Sequence, residues 1–211
     1  MDRTKCYIMK RLFLFLFIFI YGFYKSQTIN NKTTVVKHET ITTTGDMKKF
    51  YMEMKKEDSI KKSIKSIQNN FDGSKYVDSV FILMNEYRVK NGLEPLKFCK
   101  NLSKVSDLQA NYCSDNFTIT HRQPDESMMT CFERGLKYNE RLVTGEVIAE
   151  NSVENAMIKK ISFSNAPIEL FKKSKSHSEI ILDPIFVRCG ISIKHTTDKS
   201  KYYTVIVFSE D

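Results

Sequence analysis

Two kinds of residue in this chain are suited to chemistry: the histidines, which ligate metals and move protons, and the cysteines, which cross-link. Two imidazoles and a carboxylate brought to one point leave a metal ion an open position for water or ligand. The histidines are His38, His121, His177 and His195, and their separation along the chain says nothing by itself about convergence. Ser174, Ser176 and Ser178 flank His177, but nearness in sequence does not make a nucleophile and base; geometry does. No phosphate-cradling loop, kinase signature, hydrolase elbow or HExxH helix is present. Of five cysteines, Cys6 precedes an apolar run, which leaves Cys99, Cys113, Cys131 and Cys189 as an even set. In an oxidising compartment these allow two disulfides in any of three connectivities, and we expect at least one to form. The alternative is that they are small buried hydrophobes, since Cys113 and Cys189 lie on apolar periodic faces.

The compartment is read from the N-terminus. Lys10 and Arg11 precede an unbroken apolar run from Leu12 to Tyr21, and Lys25-Ser26-Gln27 follows it. That order is a secretion signal over residues 1–26, cleaved after Ser26. The run is short of the ~20 residues that a spanning helix needs. An uncleaved anchor is the other reading, because Gly22-Phe23-Tyr24 extends the apolar stretch and Tyr24 is bulky for a cleavage site.

The formal net charge of +8 invites a nucleic-acid partner until it is divided by region. Up to Lys75 there are 15 Lys and Arg against 7 acids, and from Tyr76 onward 18 of each. The excess belongs to the leader and to a polar basic linker over 27–75, so no basic groove is expected on the folded part and nucleic acid is set aside. Thr28 to Asn70 is rich in Thr, Lys and Asn, a composition poor in core-forming residues. Ile60, Ile64 and Ile67 at helical spacing, among lysines, allow a basic amphipathic helix there. Membrane contact, if any, is confined to this tether and the leader.

The elements that must position the chemistry begin near Ser74, an N-cap residue type. Val77, Val80, Phe81, Met84 and Tyr87 form one helical stripe that stops at Gly92, with Pro95 beyond. A second helix is expected over Asn101 to Asp115, with Leu102, Val105, Gln109, Tyr112 and Cys113 on one side, and a third from Asp125 to Arg134. Further helical pieces are expected at Ser152 to Ile161 and from Pro167. Cys189, Ile191 and Ile193 then alternate with Gly190, Ser192 and Lys194, and a polar connection leads to the apolar run Tyr202 to Phe208. This reads as a hairpin whose second strand is buried on both faces. Helices ahead of strands, without βαβ alternation, give an α+β domain over 76–211.

Five short signatures then stand in one order. Asn85-Glu86-Tyr87-Arg88 with Gly92-Leu93-Glu94-Pro95-Leu96 is similar to NxxR…GLxPL. Phe117 to His121 resembles FxxxH, and Gly145-Glu146-Val147-Ile148-Ala149 resembles GENIA. Ser174 to Pro184 resembles SPGHxxNILxP, and Phe186 to Ile193 the strand that follows. Each is weak alone, but five in order and spacing resemble the CAP domains, the group of cysteine-rich secretory proteins, antigen 5 and plant pathogenesis-related 1 proteins, and among them the compact bacterial type.

The resemblance implies an α-β-α sandwich, a small antiparallel sheet between helical layers. It implies that His121, Glu146 and His177 converge in an open cleft, with zinc or another divalent cation as a non-obligatory occupant. Glu146 is then in the loop after Gly145 and His177 in a short turn. Val147 replaces the asparagine of GEN, Phe171 stands where bacterial relatives usually carry Trp, and Ser174 falls near the second glutamate of eukaryotic members. Glu150 and Glu179 are the nearby acids that could substitute. The implied function is a secreted, non-enzymatic protein that binds an extracellular lipid, sterol-like or protein ligand. The alternatives are a metal-dependent extracellular hydrolase or protease, and a structural cell-surface module. The sequons at Asn31, Asn101 and Asn116 arise readily in an Asn- and Lys-rich chain and do not identify the source.

Overall fold

The computed structural model describes residues 44–210. The expected secretion segment, and the linker up to residue 43, lie outside the described residues. The unit Tyr51–Asp211 carries the sheet. Its elements are helix α1 (Thr44–Asn70, which begins ahead of Tyr51), a 3-10 turn (Gly73–Tyr76), α2 (Val77–Lys90), β1 (Lys97–Phe98) and α3 (Lys100–Asn116). There follow a 3-10 turn (Glu126–Met128), α4 (Cys131–Leu136), β2 (Val143–Ser152), α5 (Val153–Ile158), α6 (Asn165–Lys173), α7 (Lys175–Ile181), β3 (Arg188–His195) and β4 (Lys201–Ser209). No helix among the described residues is long and apolar enough to cross a membrane.

The sheet runs β1-β3-β4-β2. Strands β3 and β4 form the expected hairpin, with Arg188 opposite Ser209 and His195 opposite Tyr202, and β2 lies antiparallel along the other side of β4. Only the two-residue β1 is parallel to its neighbour, so the sheet is mixed rather than wholly antiparallel. Strand β4 shows the period of two that a doubly covered strand demands. Tyr202, Ile206 and Phe208 enter one core, and Tyr203, Val205 and Val207 the other. Val80 and Met84 of α2, Ile168 and Phe171 of α6 and Ile181 of α7 complete the first core. Leu102, Val105, Ala110 and Cys113 of α3 complete the second. Two helical layers around one sheet give the α-β-α sandwich.

Two contacts explain why these helices settle where they do. Gly190 lets α3 lie directly on β3, since a Cβ there would come within 2.1 Å of the Leu102–Ser103 backbone. Ser106 closes the contact by donating from Oγ to the Gly190 carbonyl at 2.8 Å. On the opposite layer Arg88 is buried and donates to the carbonyls of Glu94, Ile181, Asp183 and Phe186, tying α2 to the turn between α7 and β3. Asn85 clasps Leu96 through both its amide nitrogen and its oxygen. The first of the five signatures is therefore structural.

Several elements differ from the sequence expectation. The core reaches back beyond Tyr76: Phe71 is 5 % exposed and packs with Tyr76, Phe163 and Tyr202 at centroid distances of 5.1–5.6 Å. Helix α1 occupies part of the expected linker, and Lys199 donates to the carbonyl of Asn69 at its C-terminal end, where the carbonyls lack partners in the helix. The third expected helix splits, because Asp125 caps a 3-10 turn and the Thr130–Glu133 capping box starts α4 afresh at Cys131. The segment after Gly145 is strand rather than loop, and the turn around His177 is a helix. Cys99, Cys113, Cys131 and Cys189 are free thiols, in contrast to the expected disulfide. Cys189 belongs to the first core, whereas Cys99, Cys113 and Cys131 belong to the second.

Candidate functional site

Among the described residues strand β2 pairs with β4 alone, so its other edge is where the two helical layers can approach each other. The sequence delivers one polar group from each direction to this edge. Glu146 lies opposite Val207 of β4 and faces the second core's side of the sheet, in step with Ile148. Its carboxylate is 4 % exposed.

His121 comes from the segment after α3. That helix ends at Phe117 in the left-handed region (φ 52°), with the Phe117 N–H bonded to the Cys113 carbonyl. A side chain there costs about 1–2 kcal/mol, and the turn redirects the chain toward β2. From beneath, buried Gln109 donates to the Thr120 carbonyl, and Gln123 donates to Gln109 at 2.9 Å. His121 is thus held by its backbone while its side chain stays 51 % exposed, with Nδ1 3.0 Å from Glu146 Oε1.

The other carboxylate oxygen, Oε2, accepts from Nη2 of Arg134. Arg134 lies on α4 and is fully buried; Nη1 donates to the carbonyls of Met128 and Met129 at 3.0 and 3.4 Å. Its Nε is buried without a partner. Gly135 allows α4 this close to β2, because a Cβ there would meet the Glu140 carbonyl at 2.7 Å and Val143 at 2.8 Å. The sequence reading included neither Arg134 nor Gln109 in the site. The only signal was position: Arg134 stands at the end of a helix just before the turn into β2, and Gln109 is a polar residue on an apolar stripe.

His177 comes from the first layer, on α7, and its ring meets Phe171 edge-on at 5.4 Å. Burial, and then the charge on His121, hold its pKa below the ordinary imidazole value. His121 and Glu146 meet at β2, while His177 stands on α7, which packs against the same strand. The substitute acids do not join them. Glu150 pairs with Lys201 at 2.7 Å and accepts from Tyr203 at 2.6 Å, and exposed Glu179 lies 3.8 Å from Lys175. Ser174 and Ser176 share a hydrogen bond, and Ser178 bonds to the Tyr87 hydroxyl at 2.8 Å. His195 Nδ1 lies 2.9 Å from the Thr196 carbonyl, and Val147 is core.

A proton on Nδ1 of His121 donates to the Glu146 oxygen facing it, and the second carboxylate oxygen accepts from Arg134. Among the described residues no group of three or more His, Cys, Asp or Glu side chains is arranged to hold a metal ion. Each oxygen of the Glu146 carboxylate already has a partner.

A family model described as CAP, the cysteine-rich secretory protein family, matches residues 81–208. An outer surface protein from Borrelia burgdorferi is structurally similar at a TM-score of 0.53 and 20 % identity, over 67 % of this chain and 97 % of that one. An extracellular protein containing a SCP domain from Bacillus anthracis aligns at a TM-score of 0.49 and 16 % identity, over 66 % of this chain and 41 % of that one. A cysteine-rich secretory protein from Staphylococcus aureus aligns at 0.45 and 15 %, over 66 % and 40 %. No curated protein sequence matches the chain.

Proposed function

The chain belongs to the cysteine-rich secretory protein (CAP) family, and from that premise we propose that it is an extracellular or cell-surface binding protein. Its cleft at the free edge of β2 holds a lipid-like or protein ligand against His121 and His177 rather than turning it over. The observation that carries this is the commitment of Glu146, whose two oxygens are taken by His121 and Arg134. The carboxylate orients an imidazole instead of activating a water. The hydroxyls nearest His177 support the same reading, because Ser178 is bonded to Tyr87 and Ser174 to Ser176. A location outside the cell is supported by the leader read from the sequence and by the outer-surface origin of the Borrelia neighbour.

The test is a binding titration of the purified full chain with a fluorescent fatty acid and a fluorescent sterol, together with a quenched-peptide turnover assay. Saturable binding that weakens at least tenfold in His121→Ala, with no turnover, is the expected result. Peptide turnover abolished by His177→Ala would replace binding with hydrolysis. Neither binding nor turnover would leave a structural surface module.

A further inference from the structure

We propose that Arg134 is the resident cation of the site at His121 and Glu146, filling the charge role a divalent ion would otherwise take, and that the site therefore excludes such ions. The proposal rests on the geometry of the same cleft and not on the ligand proposed for it.

Arg134 has no exposure, and Glu146 has almost none. A buried guanidinium is tolerated only where an anion and acceptors compensate it, and removing either member strands the other. Here the compensation is one carboxylate oxygen and two backbone carbonyls, and one guanidinium N–H is left over. Among the described residues Glu146 is thus the only anion bonded to Arg134. A zinc ion drawing on Glu146 would either take the carboxylate from the guanidinium or bring two positive charges against a buried third in a low-dielectric setting. Both are unfavourable.

The same pair sets the geometry of His121. The guanidinium fixes one oxygen, which directs the other at Nδ1 and so fixes which way Nε2 points. Arg134 is in this sense a positioning residue that acts through Glu146. It also leaves the carboxylate neutralised, so the cleft offers the imidazoles to a ligand without the negative charge that would attract a cation.

Zinc alone is the probe, titrated calorimetrically into the full-length protein while the histidine ring resonances are followed by NMR. Wild type should show no saturable zinc binding and no shift of the His121 and His177 resonances. Arg134→Met keeps the length of the side chain and frees Glu146; it should gain a one-to-one zinc site at least tenfold tighter than any wild-type binding, lost again when His177→Ala is added. Saturable one-to-one binding by wild type that disappears in His177→Ala overturns the proposal. So does a folded Arg134→Met that binds zinc no better than wild type. Should Arg134→Met not fold, Arg134→Gln decides, because its amide removes the charge and still donates to the carboxylate. A gain in zinc affinity is then expected, and no gain overturns the assignment. Fatty acid or sterol binding can succeed or fail without changing any of these outcomes.

Discussion

Nη1 of Arg88 ends 2.6 Å from the carbonyl oxygen of Ile181, a residue 93 positions further along the chain. The same guanidinium also reaches Glu94, Asp183 and Phe186, so one side chain closes the turn that leads from α7 into β3. Arg88→Ala is expected to cost about 3–5 kcal/mol, since it leaves buried carbonyls without donors. Arg88→Lys should recover less than half, because an ammonium does not span four acceptors. Urea unfolding measures both, and an unchanged midpoint for Arg88→Ala would show that the turn stands without it.

Phe71 sets where the domain begins. Its ring packs with Tyr76, Phe163 and Tyr202, and Phe71→Ala is expected to lose about 3–5 kcal/mol. A fragment beginning at Ser74 should be less stable than one beginning at Tyr51 by at least as much. Equal melting temperatures for the two fragments would return the boundary to the composition change near Tyr76.

The pKa of His177 lies below the ordinary imidazole value through burial and the charge on His121, so the folded protein favours the neutral ring. The unfolded chain then binds the proton more readily. The stability this contributes is intact above about pH 6.5 and is lost as pH falls through that value toward the folded pKa. Melting temperatures between pH 7.5 and 5.5 should fall more steeply for wild type than for His177→Phe. By NMR, His121→Phe should move the His177 titration part of the way back up. A His177 midpoint at or above 6.5 in wild type contradicts the arrangement.

The thiols give a chemical test of the two cores. Burial pushes Cys131 up to about 11 and Cys189 up to about 12, so at pH 8 roughly one Cys131 in a thousand is a thiolate, and fewer for Cys189. Iodoacetamide followed by mass spectrometry should label half-exposed Cys99 first, with Cys189 labelled only on unfolding. After denaturation all four of Cys99, Cys113, Cys131 and Cys189 are expected to be labelled. Labelling of only two of these four would reinstate a disulfide, and early labelling of Cys189 would contradict its burial.

Where local pattern coincided with burial, the fold was legible. The α2 stripe and the β3–β4 alternation each face a core on the side the sequence implies. Strand β2 was not legible as a strand, because Val143 and Gly145 to Ala149 are all buried and give no alternation. The contact between His121 and Glu146 was legible only through family resemblance, as 25 residues separate the two and nothing local signals that they meet. Arg134 escaped because a buried arginine looks like any surface arginine until its carboxylate partner, twelve residues on, is folded against it.

Strand β4 is the last of the four to be made, yet it occupies the middle of the sheet, and among the described residues β2 has no other strand beside it. During synthesis Glu146 is therefore produced long before the strand that holds it in register. Until Lys201–Ser209 arrives, β2 is an unpaired ribbon, and the carboxylate has neither its burial nor its fixed distance to His121. Pairing of this kind, between segments far apart in sequence, is slow to form. The cleft is consequently a late product of biogenesis: a nascent chain carries all of its residues and none of its geometry, and a truncation of only the final strand would erase the site without touching a residue in it.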